Sequence, residues 1–456
     1  LINWCGGVGE VIKNADTLRR SDLHGLLIEA VECALRVADP YGAVTSHLGV
    51  KGGELLVGNR RIDVKGSVHV VGFGKASRRM AEAVLNVLGD RVAGGVVVHP
   101  GERGRVGPIE VLEGDHPLPG LNTLKSSQRL LEYLEHVSER DILLVLVSGG
   151  GSALFEIPEE GVTLEDVAWI TRELMRRGVG IYELNTVRKR LSRVKGGKLL
   201  RYINASRVVS LIVSDVIGDR VDVVASGPTA PDETSFADAY SVLERSGLLG
   251  SLPRHVRELL ERGVRGEVPD TPKPGDPCFS KVDNVVILSN QAVLEALSRV
   301  LSARGFNVLV LTSMLEGEAR EVGRVLASII RNVHKYGKPV PKPAAILAGG
   351  ETVVTVRGSG IGGRNQELCL SLAMGISDLP DTVAACVATD GIDGVSPAAG
   401  ALVDGKTVEK ALTMGLNPIN YLENNDSYTF FYRLGQVIVT GYTETNVNDL
   451  FISLIK

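Results

Sequence analysis

Apolar and polar positions follow two rhythms along this chain. One is helical, with apolar residues recurring every three or four positions over residues 23–38, 76–88, 124–137, 164–177 and 186–202. The other is a set of short runs rich in Val, Ile and Leu at 68–72, 95–99, 142–147 and 208–214, which read as buried strands. Their alternation predicts an α/β fold: an N-terminal Rossmann-like, mainly parallel sheet with helices on both faces. The proline-rich stretch PDTPKPGDP at 269–277 interrupts the rhythm and reads as a linker. Beyond it, runs at 284–288, 307–311, 344–347, 352–356, 383–388 and 436–440 read as strands, and 292–303 as a helix, of a second α/β domain. The expected organisation is a first domain over 21–268, a linker over 269–282 and a second domain over 283–456. Segments 42–64 and 101–113 carry no clear pattern.

Composition narrows the class. A chain of 456 residues exceeds what one ordinary core organises. The net charge of -4 offers no basic field, which argues against nucleic acid as the main partner. No apolar run approaches the length of a bilayer span, and the N-terminus, which begins at Leu1, lacks the build of a signal peptide. Cys5, Cys33, Cys278, Cys369 and Cys386 have no metal-like spacing and read as reduced, mostly buried thiols in a cytoplasm.

Four strand ends carry the candidate chemistry. The run at 142–147 stops at Ser148-Gly149-Gly150-Gly151-Ser152, where the missing Cβ atoms let backbone N–H groups turn toward an anion. Strand, glycine loop and helix in succession is how α/β proteins hold phosphate. The run at 68–72 leads through Gly74 to Lys75, placing an ammonium just ahead of a helix. The other two ends carry carboxylates, Asp215 with Asp219 and Asp390 with Asp393. Phosphoryl transfer needs backbone donors, a cation and carboxylate oxygens for Mg²⁺. A carboxylate ending a buried strand is costly unless paired or metal-bound, which favours Asp215 and Asp390 over Asp219 and Asp393.

A third glycine segment, at 358–363, precedes Arg364 and Asn365, with Gly349-Gly350-Glu351 upstream. It frames a guanidinium suited to bidentate capture of a carboxylate or phosphate. Asn185, Arg188, Lys195 and Lys198 form a further polar set, open between ligand binding and an exposed basic helix face. His116, in GDHPLPG, reads as a turn residue ahead of a functional one. No Walker A pattern or protein-kinase signature occurs. The GFGKAS segment has Ser77 where a dinucleotide fingerprint needs its third glycine, and the next strand ends in His99 rather than an acid, which speaks against a nicotinamide cofactor.

The segments GFGKAS, GDHPLPG, VSGGGSALF, LNTVRKRLSRVKGGKL, SDVIGDRVDVVASGPTAPD, AGGETVVTVRGSGIGGRNQEL, ATDGIDGVSPAAGALVD and NDSYTFF occur in an order that resembles the class II glycerate kinases, whose C-terminal half is the MOFRL domain. The resemblance covers most of the chain from about Leu23. It implies ATP- and Mg²⁺-dependent phosphorylation of D-glycerate, giving 2-phosphoglycerate in archaeal-type members. It also implies an active site in a cleft between the two domains, small-molecule partners alone, and a monomer or homodimer. By it, Lys75 stabilises the transferring phosphoryl group, and Arg364 holds the substrate carboxylate or shares that charge. Asp215 is a candidate Mg²⁺ ligand or base, and Asp390 likewise. Gly74, Ser148 to Ser152, Asn185, Arg188, Lys195, Gly349, Gly350, Glu351 and Asn365 fall in the substrate- and nucleotide-binding segments. Two departures stand out: Tyr442 and Glu444 replace the family's usual Pro and Gly, and Arg190 replaces a frequent His. The competing readings are a hydroxypyruvate reductase using NAD(P)H, a kinase making 3-phosphoglycerate, and a non-catalytic sensor of a small phosphorylated acid.

Overall fold

The structure, a computed structural model, describes residues 11–456 and divides into two compact units: Pro40–Ile287, and a second formed by the chain up to Asp39 together with Leu288–Lys456. In the first unit a small antiparallel meander comes from the unpatterned segment: β1 (Leu48–Lys51), β2 (Glu54–Val57) and β3 (Arg60–Asp63). The apolar runs then build β4 (Val68–Phe73), β5 (Val92–His99), β8 (Ile142–Val147) and β9 (Arg207–Val213), while the other unpatterned segment supplies β7 (Ile109–Glu113) and the short β6 (Gly104–Val106) folded back on it. The sheet runs β10-β9-β8-β4-β5-β7-β6, where β10 is Val282–Leu288. The pairings β4–β5, β4–β8, β5–β7 and β8–β9 are all parallel. Every residue of β8 is buried, which is what an unbroken ILLVLV run requires of a strand covered on both faces.

This order creates a switch point. The chain leaves β4 toward β5 on one side and leaves β8 toward β9 on the other. The loops after these two neighbouring strands diverge, and a crevice opens at their carboxyl ends.

In the second unit the sheet order is β11-β12-β16-β13-β14-β15, formed by Asn307–Leu315, Ala344–Gly350, Asp449–Ile455, Thr382–Ala388, Gly400–Asp404 and Val437–Ile438 respectively. Only β11–β12 is parallel; β16 lies antiparallel between β12 and β13. Phe430, Phe431, Phe451, Leu326 and Ile330 belong to its core.

Several boundaries differ from the sequence expectation. The run at 284–288, expected to open the second domain, is the edge of the first sheet beside β9. The helix Asp22–Val37, expected in the first domain, packs on Asn290–Ala303 and β13, because its apolar face of Leu27, Ile28 and Val31 is covered there. The proline-rich stretch is strapped down: Thr271 is buried, its hydroxyl donating to Asp232 at 2.9 Å, and the Asp232 N–H donates to Pro272 O. Residues 352–356 form no strand; Val353 makes a single bridge to Glu318, whose carboxylate takes the Thr355 N–H. The helix expected over 186–202 spans Ile181–Leu191 and stops at Ser192, which is extended and bridges to Pro158; Gly196 and Gly197, at φ of 59° and 79°, then turn the chain. Cys5 lies outside the described residues. Cys278, Cys369 and Cys386 carry free thiols, but Cys33 is disulfide-bonded, against the expectation of reduced thiols throughout. No helix among the described residues is long and apolar enough to cross a membrane.

Candidate active site

At the β4–β8 switch point the two glycine turns are laced together. Gly74 turns with φ 126°, and a Cβ there would stand 2.5 Å from Ser148 O. The Lys75 N–H donates to Gly149 O at 2.9 Å, and the Ala76 N–H donates to the Ser148 hydroxyl at 3.0 Å. Lys75 is thereby fixed against the triple glycine while its side chain stays partly exposed.

The glycines gather the polar groups. A Cβ on Gly149 would stand 2.1 Å from Asp215 Oδ2. One on Gly150 would stand 3.1 Å from the His116 ring and 3.2 Å from Lys75 Cγ. Lys75, His116 and Asp215, from the loops after β4, β7 and β9, therefore meet over residues 149–150. Burial first, and the Lys75 charge second, pull the His116 pKa below its ordinary value, disfavouring the imidazolium. The His116 loop follows a strand two positions from β4, and only the sheet order brings it to Lys75. Gly150 has φ 78°. Gly150→Ala is expected to lose about 1–2 kcal/mol of stability from the left-handed backbone alone, and to displace His116 or Lys75. Thermal unfolding and turnover measured together check this.

The helix after the triple glycine is one turn, Gly151–Leu154. A helix this short adds little dipole, so the donors offered to an anion are the loop N–H groups. Ser152 is held by Ser226 at 2.8 Å, and the Ser226 hydroxyl donates to Asn185 Oδ1 at 3.0 Å. Asn185 Nδ2 donates to Val223 O. Asn185 thus props the segment Ala225-Ser226, held at φ 50° and 62°, against the glycine loop.

The basic set is neither an exposed face nor a row of free ligands. Lys195 has no exposure; its ammonium donates to Glu156 at 2.6 Å and to Phe155 O at 2.8 Å, bracing the chain just past the glycine loop. Lys198 pairs with Glu159 at 2.6 Å. Lys189 and Arg190 converge on Asp232, which is fully buried, at 3.0 and 2.7 Å. Arg188 donates to the Thr171 hydroxyl, and burial, opposed by Glu156, lowers its pKa to about 10, still cationic at neutral pH.

The second unit holds its own constellation. Gly349 and Gly350 close β12, and Glu351 follows. Arg364 opens the helix Arg364–Gly375. Its Nε and Nη2 donate to Asp449 at 2.6 and 3.2 Å, and its Nη1 donates to Glu351 at 2.5 Å. Burial is the largest influence on Asp449 and pushes its carboxyl up, against the pull of Arg364; burial pulls Arg364 down, but Asp449 and Glu351 outweigh it and hold it above the ordinary guanidinium pKa. Asn365 is buried, and Asp393 accepts from the N–H groups and side-chain amides of Asn365 and Gln366, capping that helix. Asp390 accepts the Ile392 N–H at 3.0 Å. Tyr442 and Glu444 flank it, burial and both acids raising the tyrosine pKa, and Glu444 sits at φ 61°, a conformation the family's usual glycine suits. Asp449 escaped the sequence reading because it begins β16, a strand the reading did not place.

The two carboxylates expected at a metal, Asp215 and Asp390, belong to different units. Among the described residues no group of three or more His, Cys, Asp or Glu is arranged for a metal ion.

Residues 26–261 match the family described as a domain of unknown function, DUF4147, and residues 344–449 match the MOFRL family. The chain is 44% identical over 390 residues to the D-glycerate 2-kinase of Thermotoga maritima, covering 85% of this chain and 90% of that one. It is 40% identical over 435 residues to the glycerate 2-kinase of Pyrococcus horikoshii, covering 95% and 98%. The solved structure of the Thermotoga maritima glycerate kinase superposes with a TM-score of 0.83 at 40% identity, covering 94% of this chain and 98% of that one.

Proposed function

Because the chain belongs to the family of the glycerate 2-kinases, we propose that it transfers the γ-phosphoryl group of ATP to the 2-hydroxyl of D-glycerate, giving 2-phosphoglycerate. The observation that carries the assignment of the site is the meeting of Lys75, His116 and Asp215 over Gly149–Gly150 at the switch point of a parallel sheet. Phosphoryl transfer asks little covalent chemistry of the protein; it asks for positioning and charge stabilisation. The loop N–H groups cradle phosphate oxygens, and the Lys75 ammonium takes up the charge that develops on the transferring group. His116 supplies a further hydrogen bond there. Arg364 binds the glycerate carboxylate, its guanidinium matching that group in shape and charge.

Mg²⁺ commonly binds through one or two carboxylates plus substrate phosphates and water. Asp215, beside the glycine loop, fits as such a single carboxylate. The ion, when bound, supplies neutralisation of the phosphate charge.

Incubation with ATP, Mg²⁺ and D-glycerate is expected to give the ³¹P signal of a secondary phosphate ester at carbon 2. A primary ester would move the reading to the 3-kinase. Consumption of NAD(P)H with hydroxypyruvate, without phosphorylation, would replace it by the reductase.

A further inference from the structure

The guanidinium of Arg364 has two usable edges. The Nε/Nη2 edge is taken by Asp449, a buried carboxylate on the rigid start of β16, through two hydrogen bonds. Such a bidentate contact fixes the plane of the guanidinium. The outer edge, at Nη1, is met by one oxygen of Glu351. The two acids differ in setting: the Asp449 side chain is 12% exposed and that of Glu351 is 44% exposed. An exposed carboxylate pair contributes little net stability and exchanges readily with another anion, whereas breaking the buried pair strands a charge.

We propose that Glu351 is a built-in competitor for the anionic group of the substrate: its carboxylate holds the outer edge of Arg364 and yields it to the acid. Asp449 is the fixed anchor that presents the guanidinium to either one. This inference rests on the reading of Arg364 as the carboxylate binder.

The Glu351→Gln variant tests it. Calorimetry of D-glycerate binding to the nucleotide-free full chain, with KM measured alongside, is expected to show about two- to fivefold tighter binding, the worth of one exposed ion pair. Glu351→Asp, which keeps the competing charge, is expected to bind like the parent. Weaker or unchanged binding in Glu351→Gln overturns the inference, because a contact made to substrate, or a merely structural one, gives no gain when its charge is removed. Arg364→Ala separates the two levels. If it loses glycerate binding while Glu351→Gln fails to tighten, only the competitor idea falls. If it binds glycerate like the parent, Arg364 is not the acid's partner and both fall.

Discussion

Lys75→Ala is expected to lower the turnover of glycerate about 100- to 1000-fold, the usual cost of removing one preorganised group aimed at developing charge. The loss should appear in kcat, because the ammonium is matched to charge that grows during transfer rather than to the resting substrates. The fold should survive. What fixes the turn is the backbone, through the Lys75 N–H bond to Gly149 O and the Ala76 N–H bond to Ser148, and neither depends on the ammonium. Unfolding temperature and steady-state kinetics on the same preparation check both halves. Turnover within about threefold of the parent, in a variant that still melts normally, would remove Lys75 from the chemistry.

The second large effect is on stability. Asp232 is buried together with Lys189 and Arg190, and Thr234 and Thr271 donate to its remaining lone pairs. Asp232→Ala leaves two cations without their common partner in the interior, with only Asp270 at 3.0 Å from Arg190 and Asp222 at 3.8 Å from Lys189 to compensate. Breaking a buried pair in this way costs about 3–5 kcal/mol, a large share of the stability of an ordinary domain. Denaturant titration is expected to show the midpoint falling accordingly, with Asp232→Asn intermediate. The same cluster sets a pH window. Burial raises the Asp232 pKa, but Lys189, Arg190 and Thr234 outweigh it and bring the carboxyl down to about 2. Its folded pKa is therefore below its unfolded value near 3.8, so the stabilisation is complete above about pH 5 and fades as pH falls toward 2. It amounts to about 2 kcal/mol, seen as a drop in unfolding temperature across that range.

The sequence by itself settled the α/β class and the strand ends that carry glycine, lysine and aspartate, because a fully buried parallel strand must be written as an unbroken apolar run and must end in a turn. It placed Lys75, Gly149, Gly150 and Asp215 at such ends, and the family resemblance rested on segments that local spelling alone preserves. Only tertiary structure could decide what those residues face. His116 reaches Lys75 through sheet order, which no local pattern encodes. Lys195 and Lys198 stood open between ligands and an exposed basic face until burial supplied Glu156 and Glu159 as partners from distant segments. Asp449, the anchor of Arg364, was hidden for the same reason: pairing between strands remote in sequence is set by which apolar faces find each other, and that choice is made by the folded chain as a whole.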